Sequence, residues 1–482
     1  MPKKLSKSSY MLGLESDALL WIKVNDYESF PKPDAALQSR FDEGIAVEKL
    51  ARTLFDGVDL SGLDKNNNIE RTKVEVENRK IILEAGFFIN NLYSRSDVLI
   101  PNKDGSWNLF EIKASTKPKV SHFKDLAFQK HVLELSGLKI RDCGVILLDR
   151  TYVRGDELDI KKLFKIEDLT EEVEEDIIDI KKRIEHMFDV INLKECPKFD
   201  FHDVPKTYYG NHLVKEFLNN EPLNSVFNLY NIRRTKAVKM MEDGISTMNL
   251  IPNNFKLTPQ QAIQIYTTAN NIVNIQKDSI KNFLNNITYP VYHLDFETMS
   301  DAIPRFKNSK SHDQIPFQYS LHIEQESGEI EHKEFLYEGN KDPRPSFLEN
   351  LKKDLEGAKI ILVYNQSFEI TRLNELAEHF PEHSEWINAA INKIIDLRLP
   401  FANFWYHNPK QKGNCSLKKV MPLFCDKTYQ ALNITNGEEA SLAYKNNFGN
   451  LTPELKKDLL AYCELDTEGM IYILRGLKKI IT

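Results

Sequence analysis

The spacing of apolar residues along the 482-residue chain changes period several times, and each change predicts a change of element. In FDEGIAVEKLARTLF (41–55) apolar side chains recur every three or four positions, the pattern of an amphipathic helix. RKIILEAGFFIN (79–90), LYSRSDVLI (92–100) and WNLFEIKAS (107–115) are short apolar runs divided by turn residues such as PNKDGS, and predict three strands. HFKDLAFQKHVLELSGL (122–138) returns to helical spacing and stops at glycine, and CGVILLDR (143–150) predicts another strand. Residues 1–150 therefore form a first α/β domain of order αβββαβ.

Residues 151–285 are charged and mostly helical in pattern, with helices predicted at 168–188, 232–245 and 257–284, the last opening with a Thr-Pro start. The plain reading is a linker or accessory region whose polar faces are solvated. From residue 286 to 482 the pattern changes again. YPVYHLDFET (289–298), FQYSLHIEQ (317–325) and EHKEFLYE (331–338) predict strands, SFLENLKKDLEGA (346–358) a helix and KIILVYN (359–365) a buried strand. The rest reads as helices ending with 455–481, so this third region predicts a mixed sheet flanked by helices. There is no internal repeat and no low-complexity tract.

Composition narrows the class. Hydrophobic residues at 41% and charged residues at 28% are ordinary for a soluble globular protein, and no run of about 18 apolar residues could span a bilayer. The basic start is interrupted by acids and followed by no small-residue cleavage site, so a cytoplasmic protein without a membrane partner is expected. Cys143, Cys196, Cys415, Cys425 and Cys463 form no CxxC pair, which argues against a zinc knuckle or a disulfide framework. A formal charge of −7 does not advertise nucleic-acid binding, unless acids hold divalent cations that supply positive charge locally.

Two constellations of charge interrupt the apolar pattern. In FEIKAS, Glu111 and Lys113 are two apart and share one side of a strand. A Glu–Lys salt bridge at a sheet edge is the plain explanation. Asp97, on the preceding strand, would come beside Glu111 through a short hairpin, and two carboxylates with a lysine make a hard-oxygen site for Mg²⁺ beside a group that stabilises phosphate charge.

Asp97 followed by Glu111-Ile112-Lys113 resembles the PD-(D/E)xK nuclease motif, in its RecB-like branch, and the resemblance implies a restriction-endonuclease-like fold. In that branch a helix before the sheet supplies a further metal ligand four residues after a glycine, usually histidine, and Glu48 stands there after Gly44. Gln129 fits the glutamine of the next helix, and Leu133 replaces the usual tyrosine. Relatives carry a four-cysteine iron–sulfur site, for which this chain lacks the residues, so no iron–sulfur cluster is expected.

In LDFET, Asp295 and Glu297 alternate with Phe296 and share a face; an acid pair on a solvated strand end is the plain alternative. Further on, ILVYNQSFEITRL brings Asn365, Phe368 and Glu369 to a strand-to-helix turn, and AYCELDTEGM places Tyr462 and Asp466 four apart on one helical face. These segments resemble the three motifs of DnaQ-like (DEDD) exonucleases of the ribonuclease H-like class: DxE, Nx₂F(D) and the tyrosine-type Yx₃D. The departure is Glu369 where the family has Asp.

The resemblance implies two divalent metals, Mg²⁺ or Mn²⁺, with Asp295 bridging, Glu297, Glu369 and Asp466 as further ligands, Tyr462 orienting the attacking water, and 3′→5′ exonuclease action. Asp396 is a candidate outer-shell group, and Glu464 and Glu468 are read as surface charges. The arrangement as a whole is similar to an uncharacterised bacterial family that joins a RecB-like nuclease domain to a DnaQ-like domain of unknown function. IPFQYSLHI, NCSLKKVMPLF and YCELDT carry that similarity.

The reading is a metal-dependent nuclease with two phosphodiesterase sites acting on DNA or RNA. Lys117, Lys119 and Lys124 could track a phosphate backbone, as could Arg233 and Arg234, and Phe296 or Tyr319 could stack a base, although each also reads as surface charge or core. The competing class is a nucleic-acid-binding or scaffold protein on nuclease folds with one or both sites inactive, which Glu369 and the missing cysteines favour.

Overall fold

A computed structural model describes residues 3–198, 207, 209–211, 218 and 220–482. It is a mixed α/β protein, and the chain divides into two compact units. The first comprises residues 1–217 with 301–312, the second 218–300 with 313–482. The helical stretch expected between two domains, 151–285, is therefore shared: 151–198 belong to the first unit and 220–285 to the second. Among the described residues no helix is long and apolar enough to cross a membrane.

In the first unit the helix α1 (Lys7–Gly13) precedes α2 (Ala35–Arg52), α3 (Lys65–Glu77), β1 (Ile82–Ile89), β2 (Leu92–Pro101), β3 (Trp107–Lys113), α4 (Val120–Leu135) and β4 (Ile140–Leu148). The helix, three strands, helix and strand predicted over 41–150 are all present. The polar α3 was not predicted; it starts at Asp64, whose carboxylate accepts from the Asn66 and Asn67 amides, and hides only Asn68, Thr72 and Glu75. A further strand, β5 (Phe164–Asp168), was also missed; three of its five residues are polar, and it pairs antiparallel with β4. β1, β2 and β3 run antiparallel in turn, whereas β3 and β4 are parallel across the α4 connection.

One face of this sheet packs Leu109, Val145 and Leu147 against Phe128 and Val132 of α4; the other packs Val98, Ile112 and Ile146 against Val47 and Ala51 of α2. Each strand is apolar on both sides because both sides are covered. The single helix predicted at 168–188 is two, α5 (Thr170–Ile177) and α6 (Ile180–Asn192). Arg183 accounts for the break, since its guanidinium holds both the carboxylate and the backbone carbonyl of Asp176 and so satisfies a group the interrupted helix frees.

In the second unit α7 (Arg234–Glu242), α8 (Pro259–Asn270) and α9 (Lys277–Leu284) lead to β6 (Val291–Met299), β7 (Ile315–Glu324) and β8 (Ile330–Leu336). Then follow α10 (Arg344–Asp354), β9 (Ile360–Val363), α11 (Ser367–His379), the short β10 (Ile394–Asp396) and, at the end, the long α12 (Pro453–Ile481). The helix predicted at 257–284 stops at Asn271, which adopts φ 50° and closes the C-terminus of α8 through its amide. The sheet order is β8-β7-β6-β9-β10, antiparallel through β6 and parallel beyond it.

Alternation along β6 and β7 separates two unlike faces. Leu294, Phe296, Tyr319, Leu321 and Ile323 meet Phe347, Leu351, Leu373 and Leu376 in an apolar core. Tyr319 belongs to that core, and its hydroxyl donates to Asp354. The opposite face carries His293, Asp295, Glu297, Gln318, Ser320, His322 and Glu324, and α12 lies over it. Buried polar groups of this kind require partners, and α12 supplies several. Gln318 donates to the Leu459 carbonyl (2.8 Å), Ser320 bonds Thr467 (2.7 Å) and Arg475 pairs with Glu324 (2.6 Å). Gly469 and Gly476 let α12 close on Met421 and Phe424, because a Cβ at either would stand 2.7 Å or less from those side chains.

Candidate metal centres

In the first unit the hairpin does what its spacing predicts. Val98 pairs with Phe110, so Asp97 comes opposite Glu111, and its Oδ2 accepts from the Ile112 amide at 2.7 Å. Glu111, almost fully buried, accepts from Lys113 (2.6 Å) and Lys7 (2.8 Å) on Oε1 and from Gln129 (2.7 Å) on Oε2. Gln129 also holds Asp125 (2.9 Å), one helical turn earlier, and Lys113 reaches the same carboxylate at 3.2 Å.

Lys7 and Asp125 escaped the sequence reading. The Asp-x₃-Gln spacing on α4 was available as a signal for Asp125, whereas nothing local marks Lys7. Burial alone would push the Glu111 carboxyl upward, but Lys113 and Lys7 outweigh it and hold the group below the usual carboxylate range. Asp97 is raised well above its ordinary value by burial and by Glu111, and Glu48, on α2, is raised by burial and the same neighbour. Glu84 beside them adopts φ 62° within β1, where ladder pairing skips it, and is pinned by Arg52 (2.6 Å) and Arg95 (2.8 Å). Lys117 and Lys119 line, with Arg40, Lys113, His122 and His312, a cavity of about 500 Å³ next to the acids. This donor set is a poorer fit to a cation than its sequence suggests, because lysines already occupy Glu111.

The second unit brings its acids together with less compensation. One oxygen each from Asp295, Glu297 and Asp466 lie within 4.8 Å of one another. Glu369, at the first turn of α11, lines the same cavity of about 520 Å³, and its buried Oε2 has no hydrogen-bond partner. Burial first, then the charge of Asp466, raises Asp295 and Glu297 well above the carboxylate range. Burial raises Glu369 to about 8 and Asp466 to about 6. An orphaned carboxylate oxygen beside three converging acids fits hard divalent cations, which would remove both the repulsion and the orphan.

Asn365 sits in the cavity wall at φ 79°, its amide held at 2.9 Å by Asp396, which also caps Arg398 at the same distance. Asp396 thus fixes the turn that presents Glu369. Tyr462 lines the cavity one helical turn before Asp466 and opposes the rise of that carboxyl. Three groups here were missed from the sequence. Tyr429 donates its hydroxyl to Asp466 Oδ1. The Lys418 ammonium lies 4.9 Å and 5.1 Å from the ring centres of Tyr429 and Tyr462. The Cys463 thiol faces Asp295 Oδ2 at 3.7 Å. Lys418 lies within the NCSLKKVMPLF segment, so its stretch, though not its role, stood out. Of the acids read as surface charges, Glu464 is exposed, 3.8 Å from His332, and Glu468 is half-buried and pairs with Lys427 (2.6 Å).

Comparison with known proteins places these residues in partial company. Residues 292–416 match a domain of unknown function, DUF2779, a span containing Asp295, Glu297, Asn365 and Glu369 but not Tyr462 or Asp466. The uncharacterized protein UU173 of Ureaplasma parvum is 27% identical over 242 residues, 44% of this chain and 34% of that protein. The uncharacterized protein MG366 of Mycoplasma genitalium is 28% identical over 234 residues, 42% of this chain and 34% of that protein. The matches thus span about a third of the length of these relatives. Among solved structures, a family B DNA polymerase from Pyrobaculum calidifontis aligns over 82% of this chain and 44% of its own at 12% identity, with a TM-score of 0.27, too low to imply a shared fold.

Proposed function

We propose that the second unit is a Mg²⁺- or Mn²⁺-dependent phosphodiesterase acting on the end of a DNA or RNA strand, with the first unit a second nuclease-type site. The observation that carries this reading is the convergence of Asp295, Glu297 and Asp466 within 4.8 Å, with the unpartnered Glu369 oxygen in the same cavity. Two bound cations would supply an activated water and neutralise charge on the departing oxygen. Asp295, Glu297, Glu369 and Asp466 would hold the cations, and the Tyr462 hydroxyl would orient the water. Lys418 and Arg398 on the cavity wall meet phosphate oxygens. The resemblance to DnaQ-like exonucleases supports 3′→5′ polarity and a ribonuclease H-like architecture, and that to RecB-like nucleases supports cleavage by Asp97, Glu111 and Lys113.

The test is degradation of end-labelled single- and double-stranded DNA and RNA with Mg²⁺ or Mn²⁺ by wild type, Lys113→Ala and Asp295→Ala. Each substitution should remove a separable activity. If Asp295→Ala matches wild type on every substrate, the proposal for the second unit is wrong. One observation favours a binding role for the first unit instead: Glu111 is saturated by Lys7, Lys113 and Gln129. Unchanged cleavage in Lys113→Ala alone would select that role.

A further inference from the structure

Across the polar face of the second sheet three histidines stand in one row, His293 on β6, His322 on β7 and His332 on β8, each opposite the next in register. His322 is buried and its ring stacks on that of His332, with centres 4.2 Å apart and planes at 17°. One donor atom each from His322, His332 and Glu464 of α12 lie within 4.8 Å of one another. A row of imidazoles, two of them buried, could be only a polar packing layer, so the protons decide what the rings offer.

Their direction follows from one acceptor that cannot donate. The Thr467 hydroxyl gives its proton to the Glu464 carbonyl at 3.0 Å. Its oxygen must therefore accept from its other partners, Nδ1 of His322 at 2.8 Å and the Ser320 hydroxyl at 2.7 Å. Ser320, having given its proton to Thr467, accepts from Nε2 of His332 at 3.0 Å. In the neutral form of each ring the hydrogen therefore lies on the nitrogen facing a hydroxyl, which leaves Nε2 of His322 and Nδ1 of His332 to carry the lone pairs. This is the arrangement by which outer partners orient metal-binding imidazoles.

Nδ1 of His332 faces a Glu464 oxygen at 3.8 Å. A direct hydrogen bond would bring the pair to about 2.7–3.2 Å, whereas two bonds of about 2.1 Å to one tetrahedral ion would hold the atoms about 3.4 Å apart. The separation is too wide for the first; the second needs a closure of the pair and a turn of the two rings out of their stack, because an imidazole lone pair lies in its ring plane.

We infer that His322, His332 and Glu464 form a site for one divalent ion of the zinc class, separate from the carboxylate centre. Two imidazoles and one carboxylate suit Zn²⁺, Co²⁺ or Ni²⁺ rather than the hard cations the acid cluster takes. His332 is half-buried and Glu464 exposed, which gives the ion an entry and a water in the fourth position. Such an ion ties β7 and β8 to α12, two residues from Asp466.

The test is titration of the full chain with Zn²⁺ in saturating Mg²⁺, with Co²⁺ as a spectroscopic probe. One equivalent of Zn²⁺ and a tetrahedral Co²⁺ absorption band are expected from wild type and from Asp295→Asn. His332→Ala, at a half-buried position, and Glu464→Gln, at an exposed one, should lose them, and Thr467→Val should weaken binding about 10–100-fold. No Zn²⁺ uptake by wild type, or uptake that survives His332→Ala and Glu464→Gln, overturns the inference. So does uptake abolished by Asp295→Asn but not by His332→Ala. None of these outcomes depends on whether the acid cluster cleaves phosphodiesters.

Discussion

The hydroxyl of Tyr429 donates to Oδ1 of Asp466 in a buried contact. Burial raises the Asp466 carboxyl to about 6, and this hydrogen bond, with Lys418 and Tyr462, keeps it from rising further. A hydrogen bond to a charged group contributes about 1.5–3 kcal/mol, equivalent to about 1–2 pKa units. Tyr429→Phe should therefore move the Asp466 titration upward by about that amount. Mn²⁺ affinity measured calorimetrically should fall near pH 6 and recover at alkaline pH. A Mn²⁺ affinity profile that superimposes on wild type would show that Tyr429 does not tune the acid cluster.

The same cluster makes the stability of the metal-free protein depend on pH with a definite sign. Glu369 titrates at about 8 in the fold against 4.5 when unperturbed, so the folded state holds its proton more tightly. Its contribution is fully present below about pH 4.5 and is lost as pH rises toward 8. Asp466 adds the same trend between 3.8 and about 6. Burial holds His122, His131, His293, His322 and His407 below the histidine range, which acts in the opposite direction up to about pH 6.5, so the cluster is read in a difference: in EDTA the melting temperature of wild type relative to Glu369→Gln should fall as pH rises from about 5 to about 8. Mn²⁺ should raise the melting temperature more at the alkaline end, by about 2.7 kcal/mol of stability at 100 times its dissociation constant. A difference between wild type and Glu369→Gln that stays constant from pH 5 to pH 8 would contradict the electrostatics of the cluster.

What the sequence disclosed and withheld follows from distance along the chain. Asp295 with Glu297, Glu111 with Lys113, and Tyr462 with Asp466 are each placed by one local period, two in a strand or four in a helix, and the structure sets each pair on one face. Asp97 needed only a short hairpin. Lys7 joins Glu111 across 104 residues and Tyr429 joins Asp466 across 37, by tertiary packing that no local pattern encodes. The polar row of β7 reads as the solvent side of a strand, because its partner, α12, arrives more than a hundred residues later. The helix breaks at Ile178 and Asn271 show both cases: Asn-Asn is a stop signal that can be read, whereas Arg183 reaching back to Asp176 is not.

Lys418 offers a test of the cavity's charge balance. Burial lowers its pKa, while Asp466 and Glu297 oppose that shift, and the ammonium sits against the rings of Tyr429 and Tyr462. On the proposed chemistry it meets charge that develops on a phosphate, a role whose loss costs about 10²–10³ in turnover. Lys418→Met should reduce kcat on an end-labelled oligonucleotide by about that factor, with a much smaller change in KM. A change confined to KM would assign Lys418 to ground-state binding of the strand.

Lys7 decides how the first unit uses its acids. Its ammonium lies 2.8 Å from Glu111 and 3.8 Å from Asp125, where a divalent cation would otherwise take the same oxygens. Removing one partner of a buried ion pair costs about 3–5 kcal/mol. Lys113 and Gln129 still hold Glu111, so Lys7→Ala should cost no more than about 3 kcal/mol in EDTA. The vacated oxygens should then accept metal. In an Asp295→Asn background, which silences the second centre, Mn²⁺ should stabilise Lys7→Ala more than its parent. Thermal melts with EDTA and with Mn²⁺ measure both effects. If Lys7→Ala melts like its parent in both buffers, Lys7 neither balances the acids nor competes with a cation, and Glu111 is charge-compensated by Lys113 alone.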